Sequence, residues 1–198
     1  MMIRSLVRHI ADRLELTSNE GTEIVEFAVS LPLLIVLVVG IYDFGSAFTL
    51  RQRLNSSVRE GVRLASSQTH PQDIGSGGSC TGAPSAICTV RDIVAQTLLA
   101  SNVNDCGLGT ADAMHPSYLT WTFTGTCGGP TLQIASGNVK TTTLPSPFDT
   151  DPYVVEDTEV TLVYPYQWQF SKAFQLLTGN ANYLGSTITV TSTMQNIE

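Results

Sequence analysis

Four cysteines are the residues of this chain best suited to covalent chemistry: Cys80, Cys88, Cys106 and Cys127. They are even in number, form no Cys-x-x-Cys pair and have no histidine at the spacing of a zinc ligand. The pattern predicts two structural disulfides, and no metal site is expected. Three pairings are possible. Pairing of nearest neighbours, Cys80 with Cys88 and Cys106 with Cys127, would close loops worth about 2.6 and 3.4 kcal/mol in the chain-entropy model.

Other reactive side chains are poorly arranged for catalysis. His70 and His115 are the only histidines after residue 21, and both precede proline in segments rich in loop-forming residues. The serines show no Gly-x-Ser-x-Gly or other nucleophile signature. The glycines of residues 75–79 are not followed by the Gly-Lys-Ser/Thr of a phosphate-binding loop. We therefore expect a protein that is not an enzyme and that uses no cofactor.

A run of carboxylates at first suggests a calcium-binding site. It comprises Asp149, Asp151, Glu156, Asp157 and Glu159. The run lacks the glycine and the oxygen-ligand spacing of an EF-hand loop. A solvated acidic loop is the better prediction.

Composition indicates that part of the chain lies outside water. The chain has 198 residues, enough for one ordinary domain, and only 14% of them are charged, whereas about a quarter is usual in soluble domains. The net charge of −7 arises entirely after residue 63, where only Arg91, Lys140 and Lys172 are basic. Without a basic patch to hold phosphates, a nucleic-acid partner is excluded.

The apolar excess is concentrated in residues 27–42, FAVSLPLLIVLVVGIY, which carry no charge between Glu26 and Asp43. As a helix this run spans about 24 Å, and the apolar turns on either side extend it, so it predicts one membrane segment. A cleaved signal peptide is the alternative. It is disfavoured because the run is longer than a typical signal h-region and no Ala-x-Ala site follows.

The arginines do not orient this segment, because similar numbers precede and follow it. All four cysteines follow it, and disulfides need an oxidising compartment. The sequence therefore predicts a single-pass membrane protein with a cytoplasmic amino terminus and a periplasmic or exterior carboxyl-terminal part.

Helical spacing of apolar residues continues beyond the membrane run, so one helix is predicted from about 24 to 66. Its first half is apolar all round and its second half is amphipathic. A short second helix is predicted over 87–100. Strands are predicted at Tyr118–Thr124, Thr131–Ile134, Val154–Tyr164 and Thr187–Met194, the last with apolar residues on one face and threonines on the other. The fold class is α+β: a long transmembrane-to-amphipathic helix carrying a small antiparallel-sheet head.

An aromatic group follows the third predicted strand and mixes strand and helix spacing. Core packing is the default expectation, and an exposed subset would form a subunit or adhesion patch. Its members are Tyr164, Tyr166, Trp168, Phe170 and Phe174.

The stretch GTEIVEFA at residues 21–28, followed by the apolar run, is similar to a type IV prepilin processing site. With Pro32 in the run, Asp43-Phe44 at its end and REGVR at 59–63, it resembles the TadE-like pseudopilins of tight-adherence (Tad/Flp) pilus systems. The tail, VTLVYPYQWQFSKAFQLLTGN and STITVTSTMQNIE, supports the resemblance. The resemblance covers about 22–66 and 158–198.

The resemblance implies that a prepilin peptidase cuts between Gly21 and Thr22, making Glu26 the fifth mature residue. Residues 1–21 would be a leader, 22–66 the transmembrane and stalk helix, and 67–198 the disulfide-containing head. Cleavage exposes an amine with a pKa of about 7.7, which can pair with the otherwise costly intramembrane carboxylate of Glu26.

The sequence thus predicts a minor pseudopilin of the bacterial inner membrane that supports biogenesis of a Tad pilus or its secretion apparatus. Its expected partners are the membrane, the prepilin peptidase, other pilins or pseudopilins and the pilus assembly platform. Whether it enters the surface pilus stays open. The alternative is an uncleaved membrane-tethered periplasmic binding or sensory domain. A membrane-bound hydrolase would need a pocket pairing His115 with a nucleophile.

Overall fold

A computed structural model describes residues 19–67, 80–142, 153–168 and 187–196. The elements are α1 (Asn19–Ser66), α2 (Ser85–Ala100), a short 3-10 turn (Leu108–Thr110), β1 (Ala113–Ser117), β2 (Thr120–Thr124), β3 (Thr131–Thr142), β4 (Tyr153–Pro165) and β5 (Thr187–Gln195). The chain divides into two compact units, residues 1–45 and 46–198, so their boundary lies inside α1. The division into leader, stalk and head stays a prediction.

Helix α1 is 48 residues long and continues through Pro32, which confirms the single helix predicted from about 24 to 66. Its second half carries a buried stripe at helical spacing formed by Leu54, Val58, Val62 and Ala65. Side chains at i and i+4 share a face, so this stripe is continuous along the helix. The second half of α1 therefore packs into the core of the unit of residues 46–198.

The predicted short second helix is confirmed as α2, which begins after Pro84 and ends at Ala100. Its buried face includes Ile87, Val90, Val94 and Leu98. These side chains join the stripe of α1 and the inner face of the sheet in one hydrophobic cluster. The α+β class predicted from the sequence is thus confirmed.

Gly61 marks a close approach of α1 to α2. An added Cβ would lie 2.5 Å from Cγ2 of Val94. We expect Gly61→Ala to lower the free energy of unfolding by about 1–3 kcal/mol, because overpacking outweighs the helix propensity gained, about 1 kcal/mol. Urea unfolding of the detergent-solubilised chain measures this change. With Val94→Ala as background, Gly61→Ala should no longer destabilise; an equal loss in both backgrounds would contradict the packing explanation.

The five strands form one sheet in chain order, and every neighbouring pair is antiparallel. Phe123, Leu132, Leu162 and Val190 lie opposite one another across β2 to β5, and all are buried. The next row on the other face is polar: Thr122, Gln133, Thr161 and Thr191. The sheet thus buries one face, as the alternation in β5 predicted.

Three features of the sheet differ from the predictions. His115 was expected in a loop, but it lies in β1, which the sequence did not predict. Pro116 is tolerated there because β1 is an edge strand with irregular register. Strand β3 extends past Ile134 to Thr142, with a register shift between Ala135 and Asn138 where Gly137 has a φ of 74°. Such a bulge interrupts the alternation that identifies a strand.

The prediction of a solvated acidic loop is wrong for part of the acidic run. Glu156, Asp157 and Glu159 lie in β4, and Asp157 is only 6% exposed. Asp149 and Asp151 lie outside the described residues. Also outside them are the leader up to residue 18, the glycine-rich loop at 75–79, and Phe170 and Phe174.

Candidate functional site

The predicted processing segment lies in the first turns of α1. The backbone of Gly21 and Thr22 is helical, and Glu26 follows Thr22 by four residues with an exposed side chain. Residues four apart face the same side of a helix. An amine created at Thr22 would therefore lie one helical turn from the carboxylate of Glu26, close to the helix amino terminus, where negative charge is favoured.

The apolar segment of α1 is exposed over its whole circumference. Large apolar side chains from Ile24 to Tyr42 remain exposed, with Ile24 at 70% and Leu33 at 72%. This part of α1 is, by length and composition, the one helix among the described residues able to cross a membrane. An exposed apolar surface this large needs a partner, and lipid is the partner that fits its size. The chain thus fits a single-pass membrane protein.

The structure pairs Cys80 with Cys88 and Cys106 with Cys127, the nearest-neighbour pairing among the three possible. The first bond closes a short loop onto the start of α2. The second joins the segment after α2 to the β2–β3 loop, where the backbone N–H of Thr126 also donates to the carbonyl of Cys106 at 2.8 Å. The two bonds therefore fix the two ends of the α2 region.

Removal of either disulfide should lower the free energy of unfolding of the unit of residues 46–198. We expect the double change Cys106→Ser with Cys127→Ser to cost about 3.4 kcal/mol, and Cys80→Ser with Cys88→Ser about 2.6 kcal/mol, because the longer loop gains more entropy when opened. Urea unfolding of each variant measures the loss. The matched control is wild type measured after reduction, which should lose more than either variant. Unchanged stability after reduction would contradict a structural role.

Arg91 is a structural residue that the sequence analysis missed. It is 1% exposed, its Nη1 donates to the carbonyl of Ala111 at 2.6 Å, and its Nε and Nη2 donate to Oδ1 of Asp92 at 2.9 and 2.6 Å. Its guanidinium lies 5.7 Å from the ring centroid of Phe123. Arg91 thus ties α2 to the segment before β1 and to the sheet. In the sequence, the sign of this role was the neighbouring pair Arg91-Asp92 in an otherwise apolar helix.

Among the described residues after 45, the pKa values of Asp112 and Tyr164 are shifted. Hydrogen bonds from the side chain and the backbone N–H of Thr81 lower the pKa of Asp112, whose carboxylate accepts from that N–H at 3.1 Å. Burial, with the nearby carboxylate of Asp105, raises the pKa of Tyr164. The Tyr164 hydroxyl donates to the carbonyl of Asn104 at 2.9 Å, so the neutral phenol holds the segment next to Cys106.

A groove of about 490 Å³ lies between α1 and β5. Its lining side chains are hydroxyl, amide, charged and apolar groups: Gln52, Asn55, Ser56, Arg59, Glu60, Val62, Arg63, Ser192, Thr193 and Met194. The groove is thus lined mainly by hydrogen-bonding and charged side chains.

The aromatic group divides in the structure. Tyr164 packs against the core, as expected by default. Tyr166 and Trp168 are partly exposed and contact each other edge to face, with ring centroids 5.0 Å apart. The hydroxyls of Tyr166 and Ser46 are 2.8 Å apart.

These features define a class of protein: an α+β fold whose first helix contains a membrane-compatible apolar segment. The model of the TadE-like protein family matches residues 21–63, which confirms the predicted resemblance over those residues. No curated protein and no solved structure matches the chain.

Proposed function

We propose that this chain is a non-enzymatic minor pseudopilin, processed by a prepilin peptidase after Gly21, that supports biogenesis of a Tad pilus or its secretion apparatus. The observation that carries the proposal is the continuity of α1, from the candidate processing site through the exposed apolar segment to Ser66. The match to TadE-like proteins over residues 21–63 supports it.

The mature amino terminus would act together with Glu26. An unpaired carboxylate costs about 2.5–3.5 kcal/mol at the centre of the bilayer and less towards its boundary, and the amine at Thr22 offers Glu26 a partner within the same chain or in a neighbouring subunit. Such pairing fixes the axial position of neighbouring helices. The exposed side chains between Ile24 and Tyr42 then pack against those of other pilins or pseudopilins.

The head would face the periplasm. The unit of residues 46–198 holds both disulfides, and disulfides persist in an oxidising compartment. The amino terminus then lies in the cytoplasm, where prepilin peptidase and the assembly platform are proposed to meet it. A head of this size favours a minor role over that of a major Tad pilin, which resembles little more than the amino-terminal helix.

Deletion of the gene in the source bacterium tests the function. We expect the deletion strain to lose surface pili, and expression of the full chain to restore them, as counted by electron microscopy. Normal piliation in the deletion strain would contradict the proposal and favour the tethered binding or sensory domain.

A further inference from the structure

Tyr166 and Trp168 lie beside the point where α1 leaves its apolar segment. The hydrogen bond between Tyr166 and Ser46 fixes this position, and Ser46 follows Tyr42, the last residue of the apolar run, by four residues. Four residues of helix advance about 6 Å. The headgroup layer on each side of a bilayer is about 5–8 Å thick, so this pair is at the right height to lie within it.

The side chains at this level of α1 have the chemistry of a membrane interface. Tyrosine and tryptophan combine an apolar ring with a polar group and concentrate at the boundary between lipid and water. Phe48 is 62% exposed although it lies outside the apolar run, and Arg51 is exposed five residues beyond Ser46. The backbone of Arg51 lies about 14 Å beyond Tyr42, but side chains on a helix lean towards its amino terminus, so the long Arg51 side chain can reach back to the headgroup layer and bind lipid phosphate bidentately.

The geometry points to an interfacial anchor, formed by Phe48, Arg51, Tyr166 and Trp168, that binds the phospholipid headgroup layer. The inference rests on the proposed function in one respect, the insertion of the apolar segment into a membrane.

The test uses tryptophan fluorescence, because the chain has two tryptophans and the other, Trp121, is 3% exposed within the core. The full chain is reconstituted into phosphatidylcholine vesicles that carry bromine either near the headgroup or deep in the acyl chains. The emission of Trp168 is the difference between wild type and Trp168→Phe. We expect shallow bromine to remove at least about half of this emission and deep bromine to remove less.

Flotation of the vesicles tests membrane insertion separately from the anchor. Protein that floats with the vesicles but shows no quenching of Trp168, or stronger quenching by deep bromine, overturns the anchor and leaves the membrane segment intact. Protein that does not float contradicts both. The Trp168→Phe protein should show no quenching by bromine at either depth. The wild type alone also tests the anchor: Trp121 is buried in the core, so quenching by shallow bromine must come from Trp168.

Discussion

Arg91→Ala is expected to lower the free energy of unfolding by about 3–4 kcal/mol. The substitution removes a buried guanidinium that bonds the Ala111 carbonyl and the Asp92 carboxylate, and it leaves a cavity against Phe123. Because the Asp92 side chain is 34% exposed, water can replace its bonds to Arg91, so the cost falls mainly on the Ala111 carbonyl, which loses its charged donor, and on the cavity. Urea unfolding of the detergent-solubilised chain, followed by the fluorescence of the buried Trp121, measures the loss.

Arg63→Ala is the matched control. Arg63 pairs with Glu60 at 3.8 Å, but both side chains are exposed, at 73% and 51%. Exposed pairs of this kind contribute little, about 0.5 kcal/mol or less. Similar losses for the two substitutions would contradict the role given to Arg91.

Glu26→Ala is expected to leave the protein expressed and membrane-bound but to reduce surface piliation by more than about tenfold. The mature amine then lacks its carboxylate partner, and a loss of about 1.4 kcal/mol in the association of neighbouring helices already corresponds to a tenfold loss in assembly. Complementation of the deletion strain with each variant, followed by counting of pili in electron micrographs, measures the effect.

Glu23→Ala is the control, because Glu23 is also exposed on α1 but lies next to Thr22 rather than one full turn from it. We expect this variant to assemble. Glu26→Gln separates charge from size and should behave like Glu26→Ala. Wild-type piliation with Glu26→Ala would count against the pairing.

The elements that the sequence predicted are those with strong periodicity. Leu54, Val58 and Val62 recur every four residues, and the buried stripe of α1 follows directly. Strand β5 alternates apolar residues with threonine, so its buried face was also predictable. By contrast, β1 contains Pro116 and lies at a sheet edge, where few contacts constrain its pattern.

The sequence could predict only those parts of the candidate site whose residues are close together in the chain. Gly21, Thr22 and Glu26 form one short motif, which lies in the first turns of α1, and the processing that it implies stays a prediction. The contact between Ser46 and Tyr166 joins residues 120 positions apart, so no local pattern reveals it. Arg91 looked like an ordinary charged residue, because its burial depends on the carbonyl of Ala111 and the ring of Phe123.

Processing after Gly21 is the central claim, and the amino-terminal sequence and mass of the membrane-extracted protein test it most directly. The protein is purified from cells that express it with and without the prepilin peptidase. We expect a chain that begins at Thr22 only when the peptidase is present. A chain that retains residues 1–21 despite active peptidase would contradict the account and favour a tethered periplasmic domain.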